Sequence, residues 1–191
     1  EGAIKEVSEL LDKLVKAVKT AEGASSGTAA IGEVVADADA AKVADKASVK
    51  GIAKGIKEIV EAAGGSEKLK AVAAAKGENN KGAGKLFGKA GADAHGDSEA
   101  ASKAAGAVSA VSGEQILSAI VKAAAAGAAD QDGEKPEEAK NPIAAAIGDK
   151  DGGAEFNHEM KKDDQIAAAI ALRGMAKDGK FAVKNGEKEK A

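Results

Sequence analysis

The sequence predicts an all-α protein, an Ala-rich helical bundle with long irregular loops and at most a few very short strands. Three observations predict it. Large apolar residues recur every three or four positions in several stretches, and no stretch sustains an alternation of two. Ala, the strongest helix former, supplies 48 of the 191 residues. Only 36 larger apolar side chains accompany it (11 Ile, 7 Leu, 13 Val, 2 Met and 3 Phe). The core is therefore thin, and its stability rests on few positions at ~1.5–3 kcal/mol each. Small faces also let helix axes approach toward the low end of the usual ~8–10 Å range.

Leu, Ile, Val and Phe together number 34, below the ~20% at which disorder becomes a live reading. Disorder also wants a large net charge, and 28 basic against 31 acidic residues leave only −3. A folded chain is the better reading, and residues 1–191 suit a single helical domain.

The elements follow in order. Ile4, Val7, Leu11, Leu14 and Val18 form a strict three-four seam, widened by Leu10 and Val15, which predicts a helix over Gly2–Thr20. Glu9/Lys13 and Asp12/Lys16 are acid-before-base pairs on its outer face. A second helix is expected over Thr28–Lys46, through Ile31, Val34, Val35 and Val43. Ser48 reads as the N-cap of a third, lined by Val49, Ile52, Ile56, Ile59 and Val60 and ended by Gly64-Gly65. Ser66 opens a short helix through Leu69 and Val72. Residues Gly77 to Gly96 read as loop with a turn near Leu86-Phe87.

Ser98 opens an Ala-rich stretch to Val111, and Ser112 with Gln115 matches a capping box ahead of Ile116, Leu117, Ile120 and Val121. Asp130–Lys135 is loop, and Pro136 starts a turn. Asn141-Pro142 caps a short helix closed by Gly148, and Asp149–Asn157 is loop again. The last helix carries Ile166, Ala169, Ile170, Leu172 and Arg173, with Asp163-Asp164 at its positive end and Gly179 as its stop. Phe181 and Val183 then fold back, ahead of a polar tail. The first and last of these helices carry strong apolar stripes and are expected to pack side by side.

Composition excludes much chemistry. There is no Cys for a disulfide, thiolate zinc site or nucleophile, and no Trp or Tyr on which to stack bases. No apolar run approaches the ~20 residues of a membrane span. The stretch Gly77–Lys85 fails the phosphate-loop spacing, with Asn79 where the first Gly belongs and Leu86 after the Lys, and reads as a flexible surface loop. Asp130-Gln131-Asp132-Gly133 and Asp149-Lys150-Asp151-Gly152 lack the Glu at position 12 of a calcium loop. His95 and His158 stand far apart, each beside carboxylates, short of the three or four converging ligands a metal needs. No cofactor motif and no catalytic constellation emerge, so an enzyme is the least favoured class. Lysines at 50, 54 and 57, and at 81, 85 and 89, leave open a polyanion-binding adhesin, for glycosaminoglycan or DNA, whose binding would fall with salt.

One segment is more specific. Met160 to Lys184, MKKDDQIAAAIALRGMAKDGKFAVK, resembles the long invariant segment of the VlsE-like variable surface lipoproteins of Lyme disease spirochaetes. KGIAKGIKEIVEAAGG (50–65), SGEQILSAIVKAA (112–124) and NPIAAAIG (141–148) agree with it. Glu1-Gly2-Ala3-Ile4-Lys5 is similar to the direct repeat bounding that family's exchangeable cassette region.

The resemblance implies a surface antigen of the outer membrane, anchored by a lipid on a Cys outside these residues. It implies segmental replacement from silent cassettes, with host antibodies as partners and immune evasion as the role. By position the variable stretches would be Ala21–Ser48, Ser66–Gly82, Ala90–Val111, Ala124–Lys140, Asp149–Glu159 and Asn185–Lys190. The resemblance also marks Met160–Lys184 as both invariant and strongly antigenic. Because its helix is apolar nearly all round, burial of Ile166, Ala169, Ile170, Leu172 and Arg173 in the core is expected.

Overall fold

Helix dominates the described residues, which are 2–25, 32–36, 43–88, 94–127 and 131–189 of a computed structural model. The helices are α1 (Gly2–Ser25), α2 (Lys46–Ala62), α3 (Ser66–Lys70), α4 (Ser98–Ser109), α5 (Gly113–Ala125), α6 (Pro142–Ile147) and α7 (Asp163–Met175). Two 3-10 helices, Lys81–Phe87 and His158–Lys161, interrupt the loops. Two-residue strands β1 (Val34–Val35) and β2 (Phe181–Ala182) pair in parallel, Val34 opposite Phe181. The all-α class with minimal strand is thus observed.

Local signals explain most boundaries. The Ser112–Gln115 capping box forms in both directions and starts α5. Asn141 accepts from the backbone N–H groups of Ile143 and Ala144, both at 3.0 Å, ahead of Pro142 at N1. Asn141→Ala should therefore cost ~1–2 kcal/mol, read as a lower denaturant midpoint with unchanged slope. Gly64, at φ 70°, ends α2 in a Schellman pattern, with Gly64 N–H on Glu61 O and Gly65 N–H on Val60 O.

Several expectations are corrected. The helix expected over Thr28–Lys46 is absent where the chain is described: Val34–Val35 is a strand and 43–45 is irregular, while 26–31 and 37–42 lie outside the described residues. The pairing partner, β2, lies far along the chain, where no local pattern could point to it. The cap of α2 is Asp45, which accepts from Ser48 N–H at 2.7 Å. Ser48 instead ties three segments together, donating to Ala24 O and accepting from Lys177 N–H. Helix α7 stops at Met175, short of Gly179.

The expected pairing of α1 with α7 is also wrong. Helix α1 packs along α2. It docks by its small face: a Cβ on Gly51 would fall 2.5 Å from Ala24 Cβ, and one on Gly55 2.6 Å from Ala21 Cβ. Glycine and alanine thus set a closer approach than Ile and Leu could, and the large-residue seam of α1 is left outside the contact.

The core has two parts. Val49, Ile52, Ile120, Ile143, Ile147 and Leu172 form one, where α2, α5 and α6 meet α7. Leu86, Phe87, Phe156, Met160, Ile166 and Val183 form the other. Helix α7 contributes to both and so stands between them.

Candidate functional site

Among the described residues no cleft gathers a catalytic constellation. Among the described residues no three His, Asp or Glu converge as a metal cluster would. His95 and His158 are both exposed. In the two calcium-like turns, Asp132 pairs with Lys46, and Asp149 accepts from Asp151 N–H at 2.8 Å as an Asx turn does.

The lysine patches are interleaved with acid: Lys54 meets Glu58 at 3.7 Å, Lys57 meets Glu61 at 2.6 Å and Lys81 meets Glu155 at 3.1 Å. A carboxylate beside each of these three lysines weakens the field that would draw a polyanion. Lys89 lies outside the described residues.

The stretch Lys81–Phe87, read from sequence as loop and in part as flexible surface, is a largely buried 3-10 helix. A Cβ on Gly84 would sit 2.6 Å from Phe156 N, so that strand of loop lies directly against it. Phe87 then stacks edge-on to Phe156 and Phe181, at centroid distances of 5.1 and 5.5 Å. Composition gave no sign of this, because Gly here serves close packing instead of mobility.

What the structure does assemble is a contrast between inside and outside, centred on α7. Ile166, Ala169, Leu172 and Arg173 are buried. Ile170 is the exception, half-buried beside a 130 Å³ hollow bounded by Val34, Leu86, Ala101, Ala104 and Phe181. Apolar character all round the helix concealed which side faced that hollow. Ile166→Ala should cost ~2–5 kcal/mol, and Ile170→Ala less than ~2 kcal/mol, because only the first empties a filled site. Parallel denaturant titrations of the two variants check the ordering.

Both ends of α7 carry buried charge of the sign its dipole favours. Asp163 accepts from Asn80 Nδ2 at 2.9 Å, and its own backbone N–H donates to Gly77 O. At the other end, Arg173 donates through Nε to Lys180 O at 2.7 Å. Its Nη1 donates to Ala146 O and Ile147 O, at 2.9 and 3.1 Å. The last two carbonyls terminate α6, where the dipole welcomes a cation. The guanidinium also lies 5.5 Å from the Phe87 ring centre. Burial pushes its pKa down to about 10, which still leaves it charged at neutral pH.

Helix α6 is buried at all six positions, a role its Ala-rich sequence did not disclose. The segments between these pieces behave differently. Residues 66–82, 98–111 and 149–159 each expose at least half of their side chains and bury only five apolar ones, Leu69, Ala75, Ala100, Ala107 and Phe156.

The chain is similar to variable large protein 17 of Borrelia hermsii, 40% identical over 188 residues, covering 97% of this chain and 52% of that protein. Variable large protein 4 of Borrelia hermsii is 39% identical over 184 residues, covering 95% and 52%. The chain thus spans about half the length of these relatives. Its fold matches the crystal structure of the Lyme disease variable surface antigen VlsE of Borrelia burgdorferi with a TM-score of 0.96 and 94% identity. That match covers 100% of this chain and 64% of the other. From residue 1 to residue 191 the sequence matches one family, and the chain belongs to it: the Borrelia lipoproteins.

Proposed function

We propose that this chain is the exchangeable part of a variable surface antigen, a lipoprotein displayed on the outer membrane, whose segmental replacement evades host antibodies. In this reading the lipid anchor lies outside residues 1–191, and these residues act as one helical domain. The names of the relatives support antigenic variability. The observation that carries the reading is the division of burial. Among the described residues, 141–148 and 160–183 supply 15 of the 34 buried apolar side chains, while 66–82, 98–111 and 149–159 together supply five. Side chains that pack little constrain folding little, so such stretches tolerate replacement.

Two experiments test it. Sequencing this region from clones recovered during infection should find changes clustered in 21–48, 66–82, 90–111, 124–140, 149–159 and 185–190. Changes scattered evenly over 160–184 as well would refute the division. Antibodies raised to folded protein should map to 21–48, 90–111 and 149–159. Antibodies raised to the 160–184 peptide should bind denatured protein at least about tenfold better than native, since α7 is enclosed. Equal binding to both forms would refute the reading.

A further inference from the structure

The longest helix carries an apolar seam that the fold leaves mostly uncovered. Among the described residues nine large apolar side chains are exposed, and six of them lie on α1. Ile4 is 77% exposed, Val7 and Leu11 55%, Val15 54% and Val18 50%. Their spacing of three and four is that of a seam between helices, about 21 Å long at 1.5 Å per residue.

Helix α2 does not cover this seam. It meets α1 through Ala17, Ala21 and Ala24, and its C-terminal end reaches only a cleft bounded by Glu6, Leu10, Glu61 and Ala62. The first turns of α1 therefore run past the end of their partner. An apolar stripe of this length on a surface helix marks an interaction site.

We propose that this stripe is the seat of an amphipathic helix contributed by the part of the full-length protein outside residues 1–191. About a third of the similar VlsE chain and about half of each variable large protein lie beyond the matched region. That is ample length for the roughly four turns the seam requires. A segment of the same molecule also meets the stripe at a high effective concentration, which a second copy at dilute concentration does not. The proposal rests on family membership and on geometry, and stands whether or not the chain varies antigenically.

The test uses full-length protein with any native Cys replaced by Ser. Single cysteines are placed on the stripe (Val7→Cys, Leu11→Cys, Val18→Cys) and off it, at the exposed positions Lys5→Cys and Asp12→Cys. Thiol modification of the first three should be at least about tenfold slower than of the last two, and should stay so on hundredfold dilution without lipid. Equal rates would overturn the proposal. So would protection lost on dilution, which would assign the stripe to a second copy, or protection appearing only with vesicles, which would assign it to a membrane surface. Thermal melting supplies an independent reading. Val7→Lys with Leu11→Lys should lower the midpoint of full-length protein by several degrees, and a midpoint unmoved within about 1 °C would likewise overturn it.

Discussion

Arg173→Met should lower the unfolding free energy by roughly 3–5 kcal/mol, among the largest effects of any single substitution in this chain. Methionine keeps the apolar stem and removes only the guanidinium, so lost packing cannot account for the drop. Replacing a buried charge by an apolar side chain is tolerated elsewhere when its partners are replaced with it. Here the acceptors include the main-chain carbonyls of Ala146, Ile147 and Lys180, which no substitution removes. Ile147 O keeps the Ala44 N–H, but the Ala146 and Lys180 carbonyls would lose the guanidinium, at ~1–3 kcal/mol apiece less whatever relaxation recovers. For a chain of this size that corresponds to a fall of roughly 10 °C in melting temperature. A scan showing less than about 3 °C would mean that water reaches the site and the carbonyls are not isolated.

Phe87→Ala should cost a comparable ~3–5 kcal/mol. Phe87 is buried and makes edge-on contact with both Phe156 and Phe181, so it joins every Phe in the sequence. With few large side chains nearby, the cavity has little to refill it. The ring also faces Arg173, so the double variant should fall short of the sum by ~0.5–2 kcal/mol. Strict additivity would show that the cation and the ring do not interact.

Much of the helical framework was legible because its signals are local. Ser112 and Gln115, Asn141 and Pro142, and Gly64 each act within one turn, and each stands where short-range chemistry puts it. What was not legible depends on distant partners. Val34-Val35 looks helical until Phe181-Ala182 is beside it, and the 81–87 stretch looks like open loop until Phe156 lies against Gly84. The seam of α1 was read correctly as amphipathic and wrongly as docked against α7. Periodicity reports that a face is apolar, not what covers it.

For the candidate site, burial of most of α7 could be read from its all-round apolarity, but the half-exposure of Ile170 could not. Nor could the Arg173 contacts, since carbonyl acceptors belong to every residue and leave no mark in a sequence.

Several of the bonds that fasten the outer segments to the interior are main chain to main chain. Gly32 N–H donates to Gly174 O, Ala44 N–H to Ile147 O, Asp45 N–H to Lys177 O, Phe156 N–H to Lys81 O and Lys184 N–H to Gly96 O. A bond of this kind is blind to the side chain it carries, with proline at the donor as the one residue it refuses. The loops are therefore sewn down by stitches common to almost any protein sequence. A segment rewritten wholesale can be seated again at the same points, and its lettering can change while its binding does not.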